Sequence, residues 1–158
     1  MDFPIFPDFE EHPTSPFTFV SEAVTFEMED EEVIFRWLAD VASVEGFVPR
    51  QLAYIFCSDE YLLSINRAYL NHDYYTDIIT FPYGSEKMLA GDLFISIERV
   101  RENAVELGVE FREELSRVML HGLLHLTGYG DTTDAEALEM RARENFHLAN
   151  LKAGMGWN

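Results

Sequence analysis

His121-Gly122-Leu123-Leu124-His125-Leu126-Thr127-Gly128-Tyr129-Gly130-Asp131 is the stretch from which the rest of this chain is read. Two histidines four residues apart sit in an apolar run. On an α-helix they fall one turn apart on the same face, so their imidazoles can meet at one point. Gly128 supplies the stop, since glycine takes the left-handed backbone that ends a helix and turns the chain back. The reversal gives Asp131 a route to the space in front of both rings. Two imidazole nitrogens and one carboxylate oxygen make a three-ligand set with a position left for water, the catalytic rather than the structural pattern for zinc. His121, His125 and Asp131 are the expected ligands of one Zn²⁺ ion per chain.

A lone histidine on an apolar helix face is ordinarily a satisfied core or surface residue, and a bare His-x-x-x-His pair also arises by chance. Gly128 and Asp131 complete the spacing of the long metzincin motif, His-Glu-x-x-His-x-x-Gly-x-x-His. Gly122 stands in place of the protease glutamate, and Asp131 in place of a third histidine. The general base of that protease class is therefore missing, which argues against proteolysis.

At 158 residues, 47% of them apolar, the chain is sized and composed for one domain with a sizeable core. No apolar run approaches the length that crosses a bilayer, and no basic segment followed by an apolar one opens the sequence, so a cytoplasmic protein is expected. Cys57 is the single cysteine and lies in the apolar run Leu52–Cys57, where a buried inert thiol is expected. The net charge of −18 taken alone argues against nucleic acid, whose phosphates need Lys and Arg. Residues 1–32 contain no Lys or Arg, however, so much of the imbalance is local. Arg99, Arg101, Arg112, Arg117, Arg141 and Arg143 are the concentrated positive charge, either a shared phosphate-binding face or a solvated surface balanced by nearby glutamates.

Residues 1–16 hold Pro4, Pro7, Pro13 and Pro16, which forbid a helix or central strand and predict an extended tail, with a single domain over 17–158. Thr18–Phe26 reads as a strand or hairpin, and the acidic run Glu27–Glu32 opens a helix to about Glu45. Leu52–Cys57 is a buried strand. Ser58 caps a helix with Leu62, Leu63, Ile65, Ala68 and Tyr69 inward. Asp77–Tyr83 and Gly91–Ile97 are further strands. Helices follow from Ile97 to Leu107, Phe111 to Thr127 and Thr133 to Leu151. Strands and helices alternate early and helices dominate late. The expected fold is α+β, a single three-layer-like domain with a small mixed sheet packed by helices and a zincin-like metal helix.

Several separate blocks are similar to one family. The chain resembles the YbeY family, bacterial single-domain metal-dependent endoribonucleases implicated in ribosomal RNA maturation. The hallmark His-Gly-x-x-His-Leu-x-Gly-Tyr-Asp-His matches His121–Asp131 apart from Gly130 and Asp131. The block Leu-Asn-x-x-Tyr-Arg-x-x-Asp-x-Pro-Thr-Asp-Val-Leu-Ser-Phe matches Ile65–Phe81 without gaps. Gly91-Asp92-Leu93 matches a Gly-Asp-Ile block, and Met140 and Glu144 match a late Met and Glu. The departures are Asp131 for the third histidine, Gly130 for an Asp, Tyr75 for a Pro, and Leu70 for an Arg that the family is thought to use in RNA handling. Arg67, one turn earlier, is the candidate replacement.

The resemblance implies an endoribonuclease acting in ribosomal RNA maturation and ribosome quality control. Its partners would be ribosomal RNA, the small ribosomal subunit and assembly proteins, without membrane or DNA. Zinc would activate water or act as Lewis acid at the phosphodiester. Asp77 and Asp92 are candidates to orient a ligand histidine or serve as base, against duller roles in capping a loop and closing a turn. His72 and His147 lack metal spacing and read as surface residues; Tyr129 reads as a packing ring. The alternative is a ribosome-assembly factor whose metal is structural.

Overall fold

The computed structural model describes residues 15–157, so the expected tail over residues 1–16 lies outside the described residues except for its last two. In chain order the elements are β1 (Phe17–Glu22), α1 (Glu31–Val44), β2 (Val48–Cys57), α2 (Asp59–Leu70), β3 (Ile78–Pro82), β4 (Met88–Ser96), α3 (Ile97–Leu107), α4 (Phe111–Leu126) and α5 (Asp134–Met155). The sheet order is β1-β2-β4-β3. β1 and β4 run parallel to β2, and β3 is antiparallel to β4, so the sheet is mixed as expected.

Alternation along the strands sorts the two faces. Leu52, Tyr54 and Phe56 of β2 and Leu93 and Ile95 of β4 point into the main core, against Trp37 and Leu38 of α1 and Met119, Leu120 and Leu123 of α4. Cys57, Ile79, Phe81 and Phe94 point the other way, onto Leu62 and Ile65 of α2. Helices on both faces of one sheet give the three layers. Burial pushes the Cys57 thiol up to about 12, in keeping with an inert core thiol.

Helix starts follow the side chains that satisfy free backbone N–H groups. Ser58 accepts from Tyr61 N at 3.1 Å, Ser96 from Arg99 N at 3.1 Å, and Thr133 forms a reciprocal capping box with Glu136. α4 crosses the sheet at Gly122. A Cβ there would lie 2.6 Å from Ile78 Cδ1 and 2.7 Å from Leu93 Cδ2. Alanine would gain about 1 kcal/mol in helix propensity, but overpacking costs about 1–3 kcal/mol. Glycine therefore suits this crossing. A glutamate at 122 would have to bury its charge in the sheet, which removes the protease reading on packing grounds as well.

Several boundaries differ from expectation. β1 stops at Glu22, because Ala23 turns to φ 64°. Phe26 then tucks into the core from a loop, with its carbonyl accepting from Ser21 Oγ at 2.6 Å. β2 and β4 begin earlier than their apolar runs, since Val48–Gln51 pair with Met88–Ala90. On α2, Ala68 and Tyr69 are exposed and Asn66 is buried instead, donating to the Tyr74 carbonyl at 2.9 Å. α5 continues to Met155.

His147 is the clearest correction: it is 2% exposed rather than a surface residue. Its Nε2 donates to Glu45 Oε2 at 2.6 Å, and Trp37 Nε1 donates to its carbonyl at 2.9 Å. Glu45, at the C-terminal cap of α1, also accepts from Arg143 and from Tyr129 Oη at 2.7 Å. The long separation from Glu45 hid the partner that makes burial tolerable.

Burial alone would raise the Glu45 carboxyl, but the bonds from His147, Arg143 and Tyr129 outweigh it and hold it below 4.5, the ordinary glutamate value. A carboxylate depressed in the folded state stabilises the fold above its unfolded value, and that contribution is lost as pH falls through the depressed one. Glu45→Gln is therefore expected to be less stable than wild type at neutral pH, with the gap closing as pH drops below 4.5. Denaturant titrations across a pH series check this; a gap independent of pH contradicts it.

Candidate metal centre

The last turns of α4 carry His121 and His125, with ring centroids 4.5 Å apart and planes at 87°. Beyond Leu126 the helix closes with Gly128 N donating to the His125 carbonyl at 3.0 Å and Tyr129 N to the Leu124 carbonyl at 3.1 Å. Gly128 takes φ +110°, the reversal its position suggested. The chain then returns Asp131 to the rings. Asp131 Oδ2 lies 3.3 Å from Nε2 of His121 and 3.3 Å from Nε2 of His125. One donor atom from each of the three residues falls within 4.8 Å of the others.

Both other ring nitrogens are committed. His121 Nδ1 donates to Glu144 Oε2 at 2.7 Å, and His125 Nδ1 donates to the Tyr129 carbonyl at 2.8 Å. That leaves the Nε2 atoms as the metal-facing ones, the arrangement that orients imidazole ligands. At zinc–ligand distances of about 2.0–2.1 Å, neighbouring donors of a tetrahedron lie about 3.3–3.4 Å apart. The donor set fits a zinc-sized divalent cation. The exposed side of Asp131 leaves one approach open.

Glu144 of α5 is almost wholly buried and receives Arg117 Nη1 at 3.1 Å, with Arg141 Nη1 at 3.5 Å. Burial alone would raise its carboxyl, but hydrogen bonds from His121 and Arg117 outweigh it and keep it charged. For His121 burial opposes the charged form, while Glu144, Asp131 and Asp77 more than offset that and raise its proton affinity. Gly130 stands where a Cβ would meet the Glu136 carboxylate at about 3 Å. That carboxylate accepts from Thr132 N and Thr133 N, both at 3.1 Å, and so pins the loop to the start of α5.

Two cavities open on the triad. One of about 340 Å³ is lined by Asp77, Glu114, Arg117, His121, Asp131, Arg141 and Glu144. The other, about 320 Å³, runs past His125 to Asn66, Leu70, His72 and Tyr74. Asp77 lines both, and burial pushes its carboxyl above the ordinary carboxylate range, with His121 partly opposing.

The remaining candidates are not brought to the rings. Asp92 pairs in register with Phe81, one residue from Leu93, so alternation turns it to the α2 face of the sheet, where Tyr83 Oη donates to it at 2.9 Å. Arg67 stays on the exposed side of α2, paired with Asp73, because three residues of helix leave it about 60° from the Leu70 direction. Leu70 itself lines the groove. Of the arginines, Arg117 and Arg141 line the other cavity, beside His121 and Asp131. Arg99 pairs with Asp59, Arg143 with Glu45, and Arg101 and Arg112 stack on Phe111 and Trp157. Glu144 and Glu114 line the cavity beside His121 without having been expected there; only the match of Glu144 to a late family glutamate hinted at one of them.

Glu144→Gln is expected to weaken cation affinity by about 10–100-fold, as loss of an outer partner of a ligand histidine does. Competition with a chromogenic chelator measures it; affinity equal to wild type would remove Glu144 from the site.

Known proteins share this arrangement of elements. The family model described as Endoribonuclease YbeY matches residues 18–152. A curated relative from Flavobacterium psychrophilum named Endoribonuclease YbeY is 48% identical over 125 residues, 79% of this chain and 89% of its own. One of the same name from Cytophaga hutchinsonii is 48% identical over 135 residues, covering 85% and 94%. The solution structure of a Thermotoga maritima protein superposes with a TM-score of 0.64 at 23% identity, covering 88% of this chain and 91% of that one, which shows a common fold. With the family model spanning almost every described residue and relatives covered nearly end to end, the chain belongs to the YbeY endoribonuclease family.

Proposed function

We propose that this chain is a metal-dependent endoribonuclease that cuts RNA during ribosomal RNA maturation in the cytoplasm. Zn²⁺ is the ion proposed, one per chain, on His121, His125 and Asp131. The observation that carries the reading is the meeting of three donor atoms in an open groove, the Asp131 carboxylate 3.3 Å from each Nε2, with both Nδ1 atoms tied down. The relatives' name supplies the reaction class. Among the described residues no helix is long and apolar enough to cross a membrane.

Bound there, a divalent cation supplies Lewis acidity toward a phosphodiester oxygen and toward water. The protein's own groups do the rest. Glu144 and the Tyr129 carbonyl hold the imidazoles in orientation. Arg141, 60% exposed at the groove, and Arg117 beside it offer positive charge to the phosphates flanking the cut. The attacking oxygen, from water or a 2′-hydroxyl, must lose a proton, and the leaving oxygen must gain one. Asp77, which lines both cavities with His121, is the group proposed to carry it. Leu70 in the groove favours a second reading, an assembly factor of the small ribosomal subunit with a structural metal, since it withholds a cation from RNA at that point.

Purified protein loaded with zinc is expected to cleave a ribosomal RNA precursor. His125→Ala should lower the rate by at least about 100-fold with the fold intact, and Asp77→Asn by about 10²–10⁴-fold. RNA affinity should fall with added salt if Arg117 and Arg141 meet phosphate. Absence of cleavage with every divalent metal tested favours the assembly factor; cleavage unchanged in His125→Ala rejects the site.

A further inference from the structure

We infer that Glu45 is a positioning residue for the metal centre, acting through Tyr129 on both His125 and Asp131; this rests on the metal-site reading above. The loop that closes the centre runs Gly128-Tyr129-Gly130-Asp131, with a glycine on either side of the tyrosine. Gly128 is in the left-handed region, and glycine restricts its own backbone least, so the loop's local sequence does little to fix its path. Tyr129 is the one large side chain in it, and it does three things. Its backbone N–H donates to the Leu124 carbonyl at 3.1 Å, its carbonyl accepts from His125 Nδ1 at 2.8 Å, and its ring packs against the main core.

The far end of that ring is held by Glu45. Tyr129 Oη donates to Glu45 Oε1 at 2.7 Å. The carboxylate is 7% exposed, and its other oxygen is fixed from α5 by Arg143 and by His147 Nε2 at 2.6 Å. The backbone of Glu45 is fixed as well, its N–H donating to the Val41 carbonyl at 3.0 Å at the end of α1. A buried ion pair between α1 and α5 thus sets where the tyrosine hydroxyl sits. The ring carries that position to the carbonyl that orients His125. Two residues further on lies Asp131, whose carboxylate faces both rings.

A tyrosine that only filled space would be indifferent to its hydroxyl. Removing that hydroxyl should instead loosen the His125 carbonyl and Asp131 together. Replacing Glu45 by alanine leaves no acceptor and breaks the same bond from the other side, so the two changes should not add.

The probe is Co²⁺ alone, titrated into the full chain and read by its visible absorption, which reports ligand geometry. Wild type, Tyr129→Phe, Glu45→Ala and the double variant are compared, with circular dichroism and thermal melts alongside. Tyr129→Phe, folded, is expected to bind Co²⁺ about three- to tenfold more weakly with an altered visible spectrum, less than the roughly 10–100-fold loss for a direct partner of a metal ligand because the hydroxyl acts one contact further out. The double variant should be no weaker than the weaker single. If Glu45→Ala does not fold, Tyr129→Phe decides alone. A folded Tyr129→Phe with wild-type affinity and spectrum, or losses that add in the double variant, overturns the inference. Wild type that binds no Co²⁺ overturns the metal reading itself, and the inference with it.

Discussion

Asp131 brings a carboxylate oxygen to 3.3 Å from two imidazole Nε2 atoms whose opposite nitrogens are already donating. Three electron-rich atoms in one small space are mutually repulsive unless something positive sits among them. A proton on an imidazole relieves part of it, as the raised proton affinity of His121 reflects. A divalent cation would relieve all three at once, and the two 3.3 Å separations from Asp131 match neighbouring donors around a zinc-sized ion. The constraint is built from both sides. Glu144 and the Tyr129 carbonyl prevent either ring from turning its free nitrogen away, and the loop pinned by Glu136 keeps the carboxylate in place.

The packing beneath this centre explains why those atoms meet. α4 lies close on β3 and β4 because Gly122 offers no side chain at the crossing, and the histidines flanking it are carried to the sheet's open end. From the other direction α5 lays Glu144 against His121 and supplies Arg141. Asp77 enters just ahead of β3. The groove therefore draws on the main core's helices and on the end of α2, with the centre where they meet. A third ligand that is anionic lowers the net charge of the loaded site compared with three imidazoles. The bound ion should be a weaker Lewis acid for it.

The meeting of His121, His125 and Asp131 was legible because its signals are local. An i, i+4 pair on a helix and a glycine reversal three residues later involve one short stretch whose geometry follows from helix period alone. The layer architecture was legible too, from alternating apolar runs. What escaped depends on partners distant in sequence. Val48–Gln51 and Met88–Ala90 are strands because they pair with each other, not because either is apolar. Asp77 and Asp92 looked equivalent; alternation sends Asp92 to the far face and leaves Asp77 in the groove. Asn66 carries no apolar signal, yet it is buried to hold the 71–76 loop, while Ala68 and Tyr69 face out. His147 had no spacing to mark it, since its partner Glu45 is set by how α1 meets α5.

X-ray absorption at the zinc edge of protein loaded with one equivalent of zinc tests the centre most directly. Two imidazole nitrogens and carboxylate oxygen should appear at about 2.0–2.2 Å in a four-coordinate shell, with one nitrogen scatterer lost in His125→Ala and the carboxylate contribution lost in Asp131→Ala. A shell without imidazole, or one unchanged by either substitution, would contradict it.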